Sequence, residues 1–207
     1  MSASPPVRGA VVLAGGRSTR MGRDKASLPW GETTLLDRVV AILADLVEEV
    51  VVVARRDQTL PPVPSLLPPR AMRLAHDEVE GRGPLGGLAP GLEAATCPVV
   101  FASSCDVPFL SPAFVRTMFD ALGDAAVAIP EAEGRLHPLA AVYRRDAVLP
   151  HVRALLAEDR LRPIFLLERV PHVVVPEDVL RAADPELLSL SNLNRPEDYE
   201  AALRRAR

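Results

Sequence analysis

Only one lysine, Lys25, accompanies 23 arginines in this chain of 207 residues, and cysteine is almost as scarce, with Cys97 and Cys105 alone. Two cysteines so placed offer neither a disulfide framework nor metal-ligand spacing, which points to a reducing compartment. Aromatic residues make up 4% of the chain. No run of about 18 apolar residues occurs, and Met1 to Ala10 lacks a leader-like apolar core. A soluble cytoplasmic protein, without contact to a membrane, is the expectation. Excess positive charge is missing too: the formal net charge is −3. Nucleic acid held by bulk electrostatics is therefore not an expected partner, and any positive site must be local. No repeat, low-complexity tract or linker interrupts the chain, so one domain over residues 1–207 is expected. With 48% apolar residues it has material for a substantial core.

What the chain does have is one stretch around which the rest is organised: Val11-Val12-Leu13-Ala14-Gly15-Gly16-Arg17-Ser18-Thr19-Arg20-Met21-Gly22-Arg23-Asp24-Lys25. An apolar, β-branched run reads as a buried strand and stops at two glycines. Glycines let backbone N–H groups approach an anion closely, and the cations that follow neutralise it. A helix after such a turn completes a phosphate site. Lys25 sharpens the reading, because a compact, mobile ammonium and a planar guanidinium are not interchangeable. A glycine-rich surface turn with solvated charges is the plain alternative, since the pattern is neither a dinucleotide fingerprint nor a P-loop.

Further along, Thr33 or Thr34 caps a helix with Leu35, Leu36, Val39, Ile42, Leu43 and Leu46 on one face. Val50 to Val53 reads as a strand buried on both faces. The proline-rich residues 59–70 read as an irregular connection, Arg70 to Ala75 as a strand ending at His76-Asp77, and Gly81 to Gly87 as the lead into a glycine-rich helix that runs to about Ala95. Pro98 to Ala102 is the next strand, closed by Ser103 to Pro108, and Ser111-Pro112 opens a helix. Strands are expected at Ala125–Ile129, His137–Tyr143, His172–Val175 and Leu187–Leu193, and helices at Asp146–Ala157, Ile164–Leu167 and Pro196–Arg205. Alternating strand and helix predict an α/β fold with a mainly parallel, doubly wound sheet. Ligands of such sheets bind beyond the strands' carboxyl ends, where the turns after Leu13, Ala75 and Ala102 would then share one edge. One turn supplies cations and bare backbone, the others carboxylates. That combination suits a nucleoside triphosphate with Mg²⁺, which takes one or two carboxylates and fills its shell with phosphate oxygens and water.

The segment LAGGRSTRMGRDK resembles the signature of the MobA-like nucleotidyltransferases, the family that includes molybdenum cofactor guanylyltransferase. CDVPFL at 105–110, GPLGG at 83–87, HPLAAVY at 137–143 and NLNRPED at 192–198 are similar to further family segments. The resemblance implies that Leu13, Ala14, Gly15 and Gly16 hold the base and sugar of GTP. It assigns Arg17, Arg20 and Lys25 to the phosphates, Asp106 to Mg²⁺, Asp77 to the guanine or ribose edge, and His137, Asn192 and Asn194 to the second substrate. The implied reaction moves GMP onto the terminal phosphate of molybdenum-molybdopterin and releases pyrophosphate, with Arg20, Lys25 and Asp106 as catalytic groups. Transient contacts with cofactor-insertion proteins and acceptor enzymes are implied as well. Val53 stands where several relatives carry an asparagine against the nucleotide.

Each residue also has a plainer role: Asp106 as a turn carboxylate accepting N–H bonds, Asp77 as a loop carboxylate, His137 as a structural histidine. Asn194, three residues before Glu197, reads physically as a cap for the last helix. Three rival functions remain: a cytidylyl relative, a sugar-1-phosphate nucleotidyltransferase, which this length disfavours, and a non-catalytic nucleotide-binding module.

Overall fold

The computed structural model describes residues 7–15, 24–62, 72–77 and 81–206. In chain order the strands are β1 (Arg8–Leu13), β2 (Pro29–Trp30), β3 (Thr33–Thr34), β4 (Glu49–Arg55), β5 (Met72–Asp77), β6 (Val99–Ser104), β7 (Val127–Ala132), β8 (Arg135–Leu136), β9 (Val142–Arg144) and β10 (His172–Val175). The α-helices are α1 (Leu35–Ala44), α2 (Gly83–Ala94), α3 (Pro112–Ala121), α4 (Arg145–Ala157), α5 (Glu177–Ala183) and α6 (Pro196–Arg205).

One sheet runs β10-β7-β9-β6-β1-β4-β5, with β8 added to β7, while β2 and β3 form a separate hairpin. β6, β1, β4 and β5 are mutually parallel neighbours; β9 lies antiparallel between β6 and β7. The mainly parallel sheet expected from sequence is therefore present, with one reversed strand inside it. The chain leaves β1 toward β4 and β5, then returns to β6 on β1's other side. This reversal opens a crevice at the strand ends beside β1.

Period-2 alternation sorts the strand side chains between two cores. Ala10, Val12, Val50, Val52 and Phe101 face α1, α3 and α5, whereas Val11, Leu13, Val51, Val53 and Val100 face α2 and α4. Both faces are covered, which makes the sheet doubly wound. Helix α1 begins in a capping box: Thr34 Oγ1 accepts from Asp37 N, and Asp37 accepts from Thr34 N. Helix α2 lies unusually close to β1 and β4. A Cβ on Gly91 would sit 2.5 Å from Val11 Cγ1 and 2.9 Å from Val53 Cγ2. At the amino ends of the strands, buried Glu49 accepts from Arg73 Nε at 2.5 Å, Thr96 N at 2.7 Å, Thr96 Oγ1 at 3.1 Å and Cys97 N at 3.4 Å.

Three segments differ from their sequence reading. His137–Tyr143 is not one strand, because Pro138 has no N–H to give a ladder. A 3-10 turn, Pro138–Ala140, separates β8 from β9. Leu187–Leu193 forms a 3-10 turn at Leu188–Leu190 instead of a strand. There, buried Ser189 donates its backbone N–H to Asp184 Oδ2 at 2.8 Å, and its hydroxyl accepts from Ser111 N at 2.9 Å. These local bonds replace a ladder. Helix α5, unannounced by the sequence reading, follows β10. The proline-rich segment lies in part outside the described residues, and its described portion, 59–62, carries no regular element.

Candidate active site

Four parallel strands deliver their carboxyl ends to one cavity of about 700 Å³. Leu13, Ala14 and Gly15 come from the end of β1, and Val53 and Arg55 from β4. Asp77 comes from β5, and Ser104, Cys105 and Asp106 from β6. The first turn of α2 contributes Gly83, Pro84 and Gly87, and Lys25 and Leu139 complete the lining together with Gly81. Ala14 N and Gly15 N both donate to Val53 O, at 2.8 and 3.1 Å, so the turn after β1 is bonded to β4.

Asp106 is the electrostatic centre. Its side chain is 8% exposed and that of Lys25 18%, and Lys25 Nζ donates to Oδ2 at 2.6 Å. Oδ1 accepts from Ser104 Oγ at 2.6 Å and from Asn192 Nδ2 at 2.8 Å. Lys25 also donates to Asn194 Oδ1 at 3.1 Å. The segment carrying both asparagines is fastened beside Asp106, since Leu193 N donates to Asp106 O at 3.0 Å. Leu193 itself packs against Leu28, Leu35 and Ala202. One leucine thus enters a core while the amide before it meets the carboxylate and the amide after it meets the lysine. Lys25 rides on a 3-10 turn, Lys25–Ser27, whose N-cap Asp24 accepts from Ala26 N.

A carboxylate that already seats an ammonium ion can seat another hard cation. Among the described residues no group of three or more His, Cys, Asp or Glu gathers around a point. A closed protein cage is therefore absent there, while a cation needing one carboxylate and phosphate oxygens fits the donor set.

The family model for the MobA-like NTP transferase domain matches residues 10–173. The chain belongs to this family. Two relatives named "probable molybdenum cofactor guanylyltransferase" support the assignment. The one from Methanosarcina mazei is 36% identical over 201 residues, covering 93% of this chain and 88% of the relative. Its counterpart from Chloroflexus aggregans is 37% identical over 198 residues, covering 92% and 90%. Among solved structures, molybdopterin-guanine dinucleotide biosynthesis protein A from Archaeoglobus fulgidus shares the fold, with a TM-score of 0.73 at 23% identity over 97% of this chain and 96% of that one.

In this nucleotidyltransferase, the residues read from sequence divide into four groups. Leu13, Ala14, Gly15, Lys25, Asp77 and Asp106 are brought together around the cavity. Gly16, Arg17 and Arg20 lie outside the described residues. His137 is not among the described lining residues, although Leu139, two positions on, is. Its half-buried imidazole sits by the Ala132 carbonyl and the charges of Glu133 and Arg135, and burial draws its pKa below the ordinary value.

Asn192 and Asn194 meet at Asp106 and Lys25, but Asn194 does not cap α6. Asp198 does so by reaching back, its Oδ2 accepting from Asn194 N at 3.1 Å and Arg195 N at 2.9 Å. That frees the Asn194 amide to face Lys25. Gly15 has a reason beyond cavity space: a Cβ there would lie 3.2 Å from Arg55 N and 3.3 Å from Arg55 Cγ. Arg55 and Ser104 entered the site without a sequence signal of their own.

Proposed function

We propose that this chain transfers GMP from GTP to the terminal phosphate of molybdenum-molybdopterin and releases pyrophosphate. The observation that carries the reading is the Lys25–Asp106 pair on the wall of a cavity built from four parallel strand ends. The names of relatives more than one-third identical supply the substrate pair.

An oxygen of the cofactor's terminal phosphate forms a bond to the α-phosphorus of GTP. The bond from that phosphorus to the bridging oxygen breaks, and pyrophosphate departs with the electron pair. The attacking oxygen is already anionic near neutral pH, so no side chain need serve as a strong base. Positioning and charge neutralisation carry the catalysis.

Lys25, a mobile point charge, exchanges Asp106 for phosphate oxygens and neutralises charge developing on the leaving group, with Arg17 and Arg20 beside it in sequence. Asp106 is the residue to hold Mg²⁺. Held there, the ion would supply positive charge against the phosphates of the nucleotide. Ser104 and Asn192 keep hold of Oδ1 throughout, so the carboxylate stays aimed after Lys25 departs. Asp77 accepts from guanine N1–H and the 2-amino group, a pair of donors that cytosine does not present.

Competition between GTP and CTP, with Mg²⁺ and molybdenum-molybdopterin, tests the proposal. The expected result is a preference for GTP of about 10²-fold or more, because buried polar groups left unpaired reject the wrong base. Comparable use of CTP overturns the guanylyl assignment, and no pyrophosphate from either nucleotide overturns transfer.

A further inference from the structure

Gln58 is the only glutamine in the chain, and its side chain is engaged at every polar atom. Oε1 accepts from Arg55 N at 3.1 Å, and Gln58 N donates to Arg55 O at 3.2 Å, so the side chain closes the turn that follows β4. Nε2 donates to Ala14 O at 3.0 Å and to Asp24 Oδ2 at 2.7 Å. Ala14 lines the cavity at the end of β1. Asp24, through its other oxygen, caps the turn that carries Lys25. One amide nitrogen therefore ties the two chain positions that flank residues 15–23. It can do so only because it has two hydrogens and both neighbours are acceptors.

We propose that Gln58 is a positioning residue for nucleotidyl transfer: it fixes the Lys25 turn relative to the turn after β1, so that GTP meets both in one geometry. The proposal rests on the transfer reading above. Glutamate at this position has nearly the same shape but turns two donor contacts into acceptor against acceptor. Asp24→Asn alone sets amide hydrogens against Gln58 Nε2. Combined, the two substitutions restore a donor facing an acceptor between residues 24 and 58, while the side-chain oxygen kept at position 24 still accepts from Ala26 N.

The test measures kcat, KM for GTP, equilibrium GTP affinity and thermal midpoint for Gln58→Glu, Asp24→Asn and the double variant. Expected is a loss in kcat of at least about tenfold in each single variant, larger than the change in KM, with several-fold recovery in the double variant. GTP affinity should fall by a smaller factor, in step with KM, and recover in the double variant. Wild-type kcat in Gln58→Glu, or a double variant no better than the worse single one, overturns the proposal. If the wild type makes no pyrophosphate, the transfer reading fails by itself. The loss and recovery of GTP affinity, which needs no turnover, then still decides whether Gln58 joins the two turns.

Discussion

Replacing Asp106 by asparagine removes one charge and almost no volume, which makes it the sharpest probe of the site. In the folded chain three donors converge on this carboxylate: Lys25 Nζ at 2.6 Å, Ser104 Oγ at 2.6 Å and Asn192 Nδ2 at 2.8 Å. An amide has one acceptor, so at least one donor must face its NH₂ group. Breaking a buried ion pair from one side costs about 3–5 kcal/mol. Here Lys25 keeps Asn194 as a partner and some contact with solvent, so we expect about 2 kcal/mol, or about 4–8 °C in thermal midpoint for a domain of this size. Activity should fall further, by about 10²–10³-fold, because an amide neither holds Mg²⁺ as a carboxylate does nor recovers its orientation. Pyrophosphate release measured over a magnesium titration, at a temperature well below both midpoints, separates the two effects. Magnesium curves that overlay those of the wild type would refute the assignment of the metal to Asp106, whatever happens to stability.

Lys25→Ala is expected to stay folded, since Ser104 and Asn192 still satisfy one oxygen of Asp106, and to lose about 10²-fold in turnover, read by the same assay. Burial works to raise the pKa of Glu49, but the hydrogen bonds from Thr96 N, Arg73, Thr96 Oγ1 and Cys97 N outweigh it and hold the carboxyl below its ordinary 4.5. A folded-state pKa below the unfolded value gives stability that is present above the unfolded value and lost as pH falls through the folded one. Chemical denaturation between about pH 7 and 3 should therefore show a shallower acid loss in Glu49→Gln, which is less stable at neutral pH by about 1–3 kcal/mol. Burial, reinforced by the Glu49 charge, pushes the Cys97 thiol up to about 11. Burial and Asp106 push Cys105 up as well. Neither thiol should react with a disulfide reagent at about pH 8 until the chain is unfolded, and fast labelling of the native protein would contradict that burial.

Much of the scaffold is legible in the sequence because it is written in periodicity. Val50 to Val53 alternate between the two cores, Thr34 caps α1 with Asp37, and Pro196 opens the last helix, each from a local rule. The misread segments are those in which long-range or side-chain bonds decide the backbone. Leucines alternating from 187 to 193 imitate a strand, yet buried Asp184 and Ser189 draw the chain into a turn. Pro138 divides an apolar run that otherwise suits β structure. Within the site, the carboxylates and the lysine stand directly beside strand ends or glycines and could be located. Arg55 and Gln58 could not be found that way, because they belong to the turn after β4. Rarity was the available signal: the chain holds one lysine, one glutamine and two asparagines. All four belong to the hydrogen-bonded framework around Asp24 and Asp106.

That rarity has a physical logic at Asp106. Arginine is plentiful in this chain, and a guanidinium would satisfy the carboxylate with two parallel bonds. Such a partner would also cancel the negative charge for good, leaving nothing for a metal ion to bind. The site instead fixes one oxygen with neutral donors, Ser104 Oγ and Asn192 Nδ2, which orient the carboxylate and leave its formal charge intact. The single charged partner among the described residues is Lys25, placed on a one-turn element and bonded to the other oxygen. Its second partner, Asn194, is a neutral acceptor that can keep hold of the ammonium as it leaves. On the proposed reading, an incoming polyphosphate, more negative than one carboxylate, would draw Lys25 toward itself, and the departure would uncover Oδ2 for a cation. Nucleotide and metal would then favour each other's binding without any large rearrangement, because each takes one half of the Lys25–Asp106 ion pair.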